Sequence, residues 1–339
     1  MTSIRKVADA AGVSIATVSR VVNGNTRVAP ELRERVLQAV KEHDYSPQQG
    51  RSRATSVAMV YTGLYTVDCP YDSRVIAGAV EAMRRSPFDL QIVDLNRDKK
   101  PDEAYSQFFL RKGICGVIAR INEDPQQRQV VEQIASEGVP LVVIGDHFEH
   151  KSLRFVYNCS RDASAEAIDH LVSWGHRRIA FASCERNDGD HRDRFWAYSH
   201  VLEEHGLLDE SLVYRLPPQQ LDGAQLIRRI LAQTDPPTAA YFADPLVAVG
   251  ALNEAHRMGV RIPDDFSMVG FDDGELRNMV YPEMTAVCQD CHEVGRMAFK
   301  AVADGRAGEE GAATTVGKAW LKINHSTGPA AMSSSTVAS

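Results

Sequence analysis

From residue 57 onward, short apolar segments of strand length alternate with longer segments of helical periodicity. Gly, Pro or Asp commonly follows each apolar segment. This alternation constrains the fold strongly, because it predicts mostly parallel sheets with helices on both faces. The predicted strands span residues 57–61, 90–95, 116–119, 141–144, 179–182, 239–242 and 268–271.

The first 46 residues follow a different pattern, that of three short amphipathic helices. The first helix ends before Gly12, the second follows Ser14, a common N-cap residue, and the third begins near Pro30. Two helices joined by a tight, glycine-containing turn are typical of a helix-turn-helix. In that motif the second helix lies in the major groove of DNA.

Charge is distributed unevenly along the chain. Residues 1–56 contain nine Lys and Arg against five Asp and Glu, whereas the remaining residues contain 29 basic and 40 acidic side chains. A small basic module on a large acidic body indicates that only the first part meets a polyanion. The longest apolar runs are far shorter than the ~20 residues of a membrane span.

Residues 12–23, which read GVSIATVSRVVN, resemble the signature of the LacI/GalR family of bacterial transcription regulators. The resemblance continues along essentially all of residues 4–329. Its markers are HLVSWGHRRIA at 170–180, IPDDFSMVGFDD at 262–273, VGRMA at 294–298 and STGP at 326–329.

This resemblance implies an α/β fold in which an all-α helix-turn-helix headpiece precedes a two-lobed effector domain. That domain is similar to the type I periplasmic binding proteins, with parallel sheets in both lobes. The implied parts are a headpiece at 1–46, a shortened hinge at 47–56, an effector-binding and dimerisation domain at 57–329 and a disordered tail at 330–339. Within the effector domain, the N-lobe spans about 57–158 and 290–316, and the C-lobe about 159–285 and 317–329.

In the family, the positions of Ile15, Ala16 and Arg20 face base edges. An arginine can bind guanine O6 and N7 through two hydrogen bonds, and small apolar side chains can contact the thymine methyl group. Polar side chains around them are placed to bind phosphates, which fixes register without reading sequence. These are Ser14, Thr17, Ser19 and Asn23.

The connector departs from the family pattern. It is about five residues short and has no leucine between Tyr45 and Val57, where relatives carry a leucine that wedges into the minor groove. The segment is interpreted as a flexible basic tether whose Arg51 and Arg53 contact phosphates. Because apolar insertion normally helps to kink DNA, we expect less bending than a typical relative produces.

The resemblance also implies an effector pocket at the carboxyl ends of the strands. Its candidate residues are Tyr71, Asp72, Arg120, Asp146, Arg194, Asp244 and Asp272. Carboxylates and a forked arginine suit polyol recognition, because each can bridge neighbouring hydroxyl groups. Asp272 could instead cap the helix that follows it.

Asp244 stands where relatives usually carry asparagine, which removes donors and adds negative charge. Nor is there an aromatic residue near Pro218, where some relatives stack a sugar face. A neutral sugar, an amino sugar and a sugar acid all remain compatible with this set of residues.

Six scattered cysteines do not form a disulfide framework, and the N-terminus has no apolar signal region, so we expect a cytoplasmic protein. Cys288 and Cys291 match a Cys-x-x-Cys-His pattern, but no second ligand pair is evident. We therefore expect no cofactor and no metal. Nucleophile, base and orienting group cannot be assembled from the motifs, which argues against an enzyme.

The sequence thus predicts a transcription regulator, most simply a repressor, that binds a pseudo-palindromic double-stranded operator as a homodimer. A small effector, a sugar or sugar derivative bound between the lobes, would control its affinity for DNA. The alternative is a cytosolic sugar-binding protein whose headpiece is impaired by the shortened hinge.

Overall fold

The computed structural model describes residues 4–22, 28–43, 55–61, 69–121, 124–185, 188–305 and 315–330. The chain folds into two compact units, residues 1–54 and 55–339. Its helices are α1 Ile4–Ala11, α2 Ile15–Val22, α3 Pro30–Glu42, α4 Pro70–Met83, α5 Leu95–Asp98, α6 Tyr105–Arg111, α7 Pro125–Ser136, α8 Arg161–Ser173, α9 Gly189–Glu204, α10 Gln220–Leu231, α11 Pro245–Arg257 and α12 Cys291–Ala303. Its strands are β1 Ser56–Tyr61, β2 Asp89–Asp94, β3 Ile114–Arg120, β4 Leu141–Ile144, β5 Val156–Cys159, β6 Ile179–Cys184, β7 Val213–Leu216, β8 Ala239–Phe242, β9 Ser267–Asp272, β10 Thr285–Cys288, β11 Thr315–Lys318 and β12 Trp320–Lys322.

The N-terminal unit packs α1, α2 and α3 around a core of small aliphatic side chains. Gly12, at φ +63°, reverses the chain between α1 and α2, a conformation that favours glycine. The Arg35 side chain of α3 closes this turn, because its Nη2 donates a 2.6 Å hydrogen bond to the Ala11 carbonyl. The core residues are Val7, Ala8, Ala11, Val18, Val21, Val36 and Ala39.

The second unit contains two α/β lobes. In the first, here called the N-lobe, four parallel strands run in the order β2-β1-β3-β4. Successive residues of β1 point to opposite faces: Met59 packs with α4 and α12, whereas Val60 packs with α6 and α7. A short parallel pair, β5 with β11, completes this lobe.

The second lobe, here called the C-lobe, has six strands in the order β12-β10-β9-β8-β6-β7. All neighbours are parallel except β12, which pairs antiparallel with β10. Helices α8 and α9 cover one face, around buried Phe181, and α10 and α11 cover the other, around Ala180 and Ala182. Both lobes therefore have the helix–sheet–helix layers that the sequence predicts.

The chain passes between the lobes three times, from β5 to α8, from β10 to α12 and from β11 to β12. Each connection is only one or two residues long. The carboxyl ends of the central strands of both sheets meet a common cleft, which places the residues after those strands opposite one another.

All seven predicted strands are confirmed, with ends that differ by two residues at most. Strands β5, β7, β10, β11 and β12, each of three or four residues, are not among the strands predicted from the apolar segments. Residue 330, the first of the predicted tail, contacts the C-lobe, because the Ala330 N–H donates to the Trp174 carbonyl. Residues 331–339 lie outside the described residues. None of the described helices is long and apolar enough to cross a membrane.

We predict that Gly78→Ala separates α4 from α12. A Cβ at residue 78 would lie 1.8 Å from the backbone oxygen of His292, and backbone cannot move aside as a flexible side chain can. The expected loss in free energy of unfolding is about 1–3 kcal/mol, measured by urea denaturation. Gly274→Ala is the control, because only the Arg74 side chain lies near, at 3.8 Å. Equal midpoints for the two variants would contradict the prediction.

Candidate functional site

The exposed face of α2 is the first candidate site. Ile15, Ala16 and Arg20 are all exposed, although Ile15 is a large aliphatic residue and is 43% accessible. The buried face of the same helix, Val18 and Val21, holds it in the core of the unit. Helix packing therefore accounts for the valines and leaves the three predicted base-contacting side chains free of the core.

Ser14 has a local structural role. Its Oγ accepts the backbone N–H of Thr17 at 3.1 Å and lies 2.9 Å from the Thr17 hydroxyl, which caps the start of α2. Ser19 lies on α2. The other predicted DNA contacts, Asn23, Arg51 and Arg53, lie outside the described residues, as do residues 47–54 of the predicted hinge, whereas Ser56 at its end begins β1.

The second candidate site is a cavity of about 410 Å³ in the cleft between the lobes. This volume falls in the range of small-molecule sites. Five of the seven predicted effector residues line it, and they come from α4, β3, α9 and the loop before α11. The lining residues are Cys69, Pro70, Tyr71, Asp72, Arg120, Gly145, Asp188, Asp190, His191, Arg194, Pro218, Gln219, Asp244, Pro245, Leu246 and Asp273.

On the N-lobe side, an ion pair is built from the ends of β3 and α4. Arg120 Nε donates to Asp72 Oδ1 at 2.9 Å, and both side chains are almost completely buried. The guanidinium also lies over the Tyr71 ring, 4.8 Å from its centre. The Tyr71 hydroxyl is buried and has no hydrogen-bond partner among the described residues, so it is available to a ligand.

On the C-lobe side, His191 lies between two carboxylates. Its Nδ1 is 2.7 Å from Asp188 Oδ1, and its Nε2 is 3.3 Å from Asp244 Oδ1. Burial alone would lower the pKa of His191, but the two carboxylates outweigh burial and raise the pKa to about 9. The side chain is therefore an imidazolium at neutral pH, and it supplies the charge that compensates Asp244.

Arg194 completes this wall. Its Nη1 donates to the Ala243 carbonyl at 2.7 Å, and its guanidinium stacks on Phe271 at 3.5 Å. Its Nε is buried without a hydrogen-bond partner in the described part of the chain. Asp273, which also lines the cavity, interacts electrostatically with Arg194 and accepts a hydrogen bond from Gln289, while burial raises the pKa of its carboxyl group.

Two predicted effector residues do not line the cavity. Asp146 Oδ1 accepts the Gly189 N–H of the C-lobe at 2.7 Å, and its Oδ2 accepts a hydrogen bond from Arg128 of its own lobe at 3.1 Å, so both oxygens are engaged. Asp272 accepts the backbone N–H groups of residues 274 and 276 and pairs with Arg277. Because side chains alternate at the end of β9, its neighbour Asp273 faces the cavity instead.

Sequence reasoning missed Asp188, Asp190, His191 and Asp273 as cavity residues. A signal was present for Asp188 and His191, because Asp188 N-caps α9 and accepts the His191 N–H at 3.0 Å. A capping aspartate followed three residues later by histidine places both side chains at one helix end. Asp244 and His191 are far apart in the sequence, so their pairing could not be inferred from it.

The Cys-x-x-Cys pattern belongs to the packing between β10 and α12. Cys288 and Cys291 are buried free thiols, and burial raises the pKa of Cys288 to about 11. Cys291 Sγ lies 3.9 Å from Asp273 Oδ1. Among the described residues, no group of His, Cys, Asp and Glu side chains has the arrangement of a metal site.

Both units match known sequence families. Residues 3–48 match the bacterial regulatory proteins of the lacI family, and residues 168–326 match a periplasmic binding protein-like domain. The ribose operon repressor of Halalkalibacterium halodurans is 32% identical over 307 residues, which cover 88% of this chain and 89% of that protein. The chain belongs to the LacI family. It is a DNA-binding transcription regulator.

Other relatives agree along nearly the full length. The HTH-type transcriptional regulator DegA of Bacillus subtilis is 28% identical over 333 residues, covering 97% of this chain and 98% of DegA. Among solved structures, the transcriptional regulator CelR–cellobiose complex is 26% identical with a TM-score of 0.69, covering 96% of this chain and 100% of CelR. These relatives are named as regulators rather than as enzymes.

We predict that the cleft histidines make stability fall at alkaline pH. The folded pKa values of His191 and His147 are both about 9, above the ordinary value of 6.5, so the stabilisation is complete below pH 6.5. It is lost as pH rises through 9, by up to about 1.4 kcal/mol per pH unit for each histidine. Urea denaturation from pH 6 to 10 measures this slope. In His191→Gln, the dependence of the unfolding free energy on pH should be weaker by the contribution of one titrating proton. His200→Gln, on the exposed side of α9, is the control and should leave this dependence unchanged. A slope unchanged in His191→Gln would contradict the assignment.

Proposed function

We propose that this regulator is a repressor whose operator affinity is set by an uncharged or amine-bearing polyol bound between the lobes. The observation that carries the proposal is the cleft, a cavity of small-molecule size that combines buried carboxylates and arginines. Three of its buried polar atoms, Tyr71 Oη, Asp190 Oδ1 and Arg194 Nε, have no hydrogen-bond partner among the described residues. The exposed face of α2 supplies the DNA-reading half of the same function. The proposal assigns residues 1–46 to DNA binding, 47–56 to the hinge and 57–329 to the effector domain.

Charge in the cavity favours some ligands over others. Among its described lining residues, five aspartates lie with two arginines and the His191 imidazolium, and His147 pairs with Asp190 from the N-lobe, which leaves a surplus of one negative charge when all of these groups are ionised. A carboxylate or phosphate ligand would bring a further buried anion next to these groups, which is costly without a free cation. Hydroxyl groups can instead bind the Tyr71 hydroxyl and Arg194 Nε, and an amine would reduce the surplus. A sugar acid is therefore disfavoured.

The relatives support a carbohydrate. One is a ribose operon repressor, and another is described in complex with cellobiose. Effector binding between lobes that are joined by three short connections would shift the population of closed and open forms. Operator affinity would change through the differential affinity of the effector for those forms.

We further propose a cytoplasmic homodimer that reads two related half-sites, because a helix-turn-helix head contacts only one major groove. Large apolar side chains on the C-lobe surface support this assembly, since a monomer would leave them in water. They include Leu221, Met279 and Tyr281, which are 65%, 74% and 85% exposed.

Selection of duplexes from a random DNA library by the full chain, followed by anisotropy titration at two salt concentrations, tests the DNA half. A palindrome should be enriched, and Arg20→Ala should weaken its binding by about 1–3 kcal/mol and relax one base position in each half-site. Arg5→Ala, on the exposed face of α1, is the control and should keep the base preference. Weak, salt-sensitive binding without enrichment would favour the alternative, a sugar-binding protein with an impaired headpiece.

Matched sugars test the effector half. Glucose, glucosamine and glucuronate, and the corresponding galactose set, differ mainly in one charged group. We expect thermal stabilisation of the protein by neutral or amino members only, and loss of that stabilisation in Tyr71→Phe without loss of folding. Stabilisation by the uronates alone would overturn the assignment of ligand class.

A further inference from the structure

The N-lobe and the C-lobe contact each other closely beside the cavity. Asp146 and His147, which follow β4 in the N-lobe, lie against the first two turns of α9 in the C-lobe. The approach is close enough to require glycine, because a Cβ at Gly189 would lie 2.5 Å from the His147 carbonyl oxygen. Asp146 accepts the Gly189 N–H at 2.7 Å, at the positive end of the α9 dipole.

His147 is the centre of this contact. Its Nδ1 lies 3.2 Å from Asp190 Oδ1, and its Nε2 lies 3.4 Å from Asp193 Oδ2. The imidazole also stacks on Tyr157 of β5, with ring centres 3.9 Å apart and planes within 9°. The ring is thus held flat by its own lobe and presents both nitrogens to carboxylates of the other lobe.

The charges around His147 favour its protonated form. From α9 it faces Asp190 and Asp193, while Arg192 donates to the His147 carbonyl at 3.1 Å. From α8, Arg161 shares Asp193 at 2.5 Å. Burial lowers the pKa of His147, but the two nearby carboxylates outweigh burial and raise it to about 9.

We propose that the His147 imidazolium is a latch that stabilises the closed arrangement of the two lobes through Asp190 and Asp193, before any effector is bound. The latch is a regulatory device of the cleft, and its effect on DNA rests on the function proposed above. The latch itself does not rest on that proposed function, because the contact between the lobes can be measured without ligand or DNA.

The latch and the cavity share one residue. Asp190 lines the cavity and pairs with His147, and the same two turns of α9 carry His191 and Arg194 into the cavity. A ligand hydroxyl or amine that binds Asp190 therefore acts on a carboxylate that also holds the lobes together. Cavity occupancy and lobe closure are coupled through that carboxylate.

Hydrogen–deuterium exchange of the ligand-free full chain at neutral pH tests the latch, with the segment 188–194 as the reporter. In His147→Gln, protection of this segment should fall at least about tenfold, because the Gly189 N–H loses its acceptor when the lobes separate. His147→Arg should keep the protection, because a planar cation can stack on Tyr157 and pair with both carboxylates. His200→Gln is the control on the same helix, where His200 pairs with Glu204.

Small-angle scattering of the same samples should show a larger radius of gyration for His147→Gln alone. Equal protection and equal radius in His147→Gln and wild type would overturn the latch, whatever the DNA results. Loss of protection throughout the chain in His147→Gln would indicate misfolding. In that case the His147→Arg variant decides. Retained protection of segment 188–194 in His147→Arg supports the latch, and loss of protection confined to that segment overturns the latch.

Discussion

Ionised side chains that are removed from water constrain the whole cleft. Asp72, Asp188 and Asp244 are almost inaccessible, and each buried charge would cost several kcal/mol without a partner. Arg120 and His191 supply those partners, and the elements around them are arranged to let them do so. Gly145, at φ +80°, is one example, because a Cβ there would lie 1.8 Å from Arg120 Nη1.

Charge pairing also explains a departure from the family pattern. An aspartate at position 244 in place of asparagine would leave an uncompensated anion in the pocket. In this chain the carboxylate instead accepts the Cys184 N–H at 2.6 Å and pairs with His191. Asp244 and the histidine that compensates its charge lie on different elements, so the carboxylate is partnered although it is buried.

Much of the fold could be predicted from the sequence, because buried parallel strands such as β1, β4 and β8 are continuous apolar runs. Strands such as β5, which mixes polar and apolar residues in four positions, carry no such signal. Five of the seven residues that the resemblance named line the cavity. Asp146 and Asp272 were misplaced because sequence gives the end of a strand but not the direction of the last side chain. The spacing of Asp188 and His191 was a local signal, whereas the pairing of His191 with Asp244 joins distant segments of the chain.

Placing Asp190 in both the cavity wall and the lobe contact has an evolutionary consequence. A mutation there that adapted the cleft to another sugar would also change how often the empty protein is closed. Ligand preference and basal gene expression would then be inherited together, and a lineage could separate them only by a second change on the His147 side. We therefore expect adaptation to new sugars to proceed first through residues such as Gln219 and Leu246, which line the cavity without touching the latch.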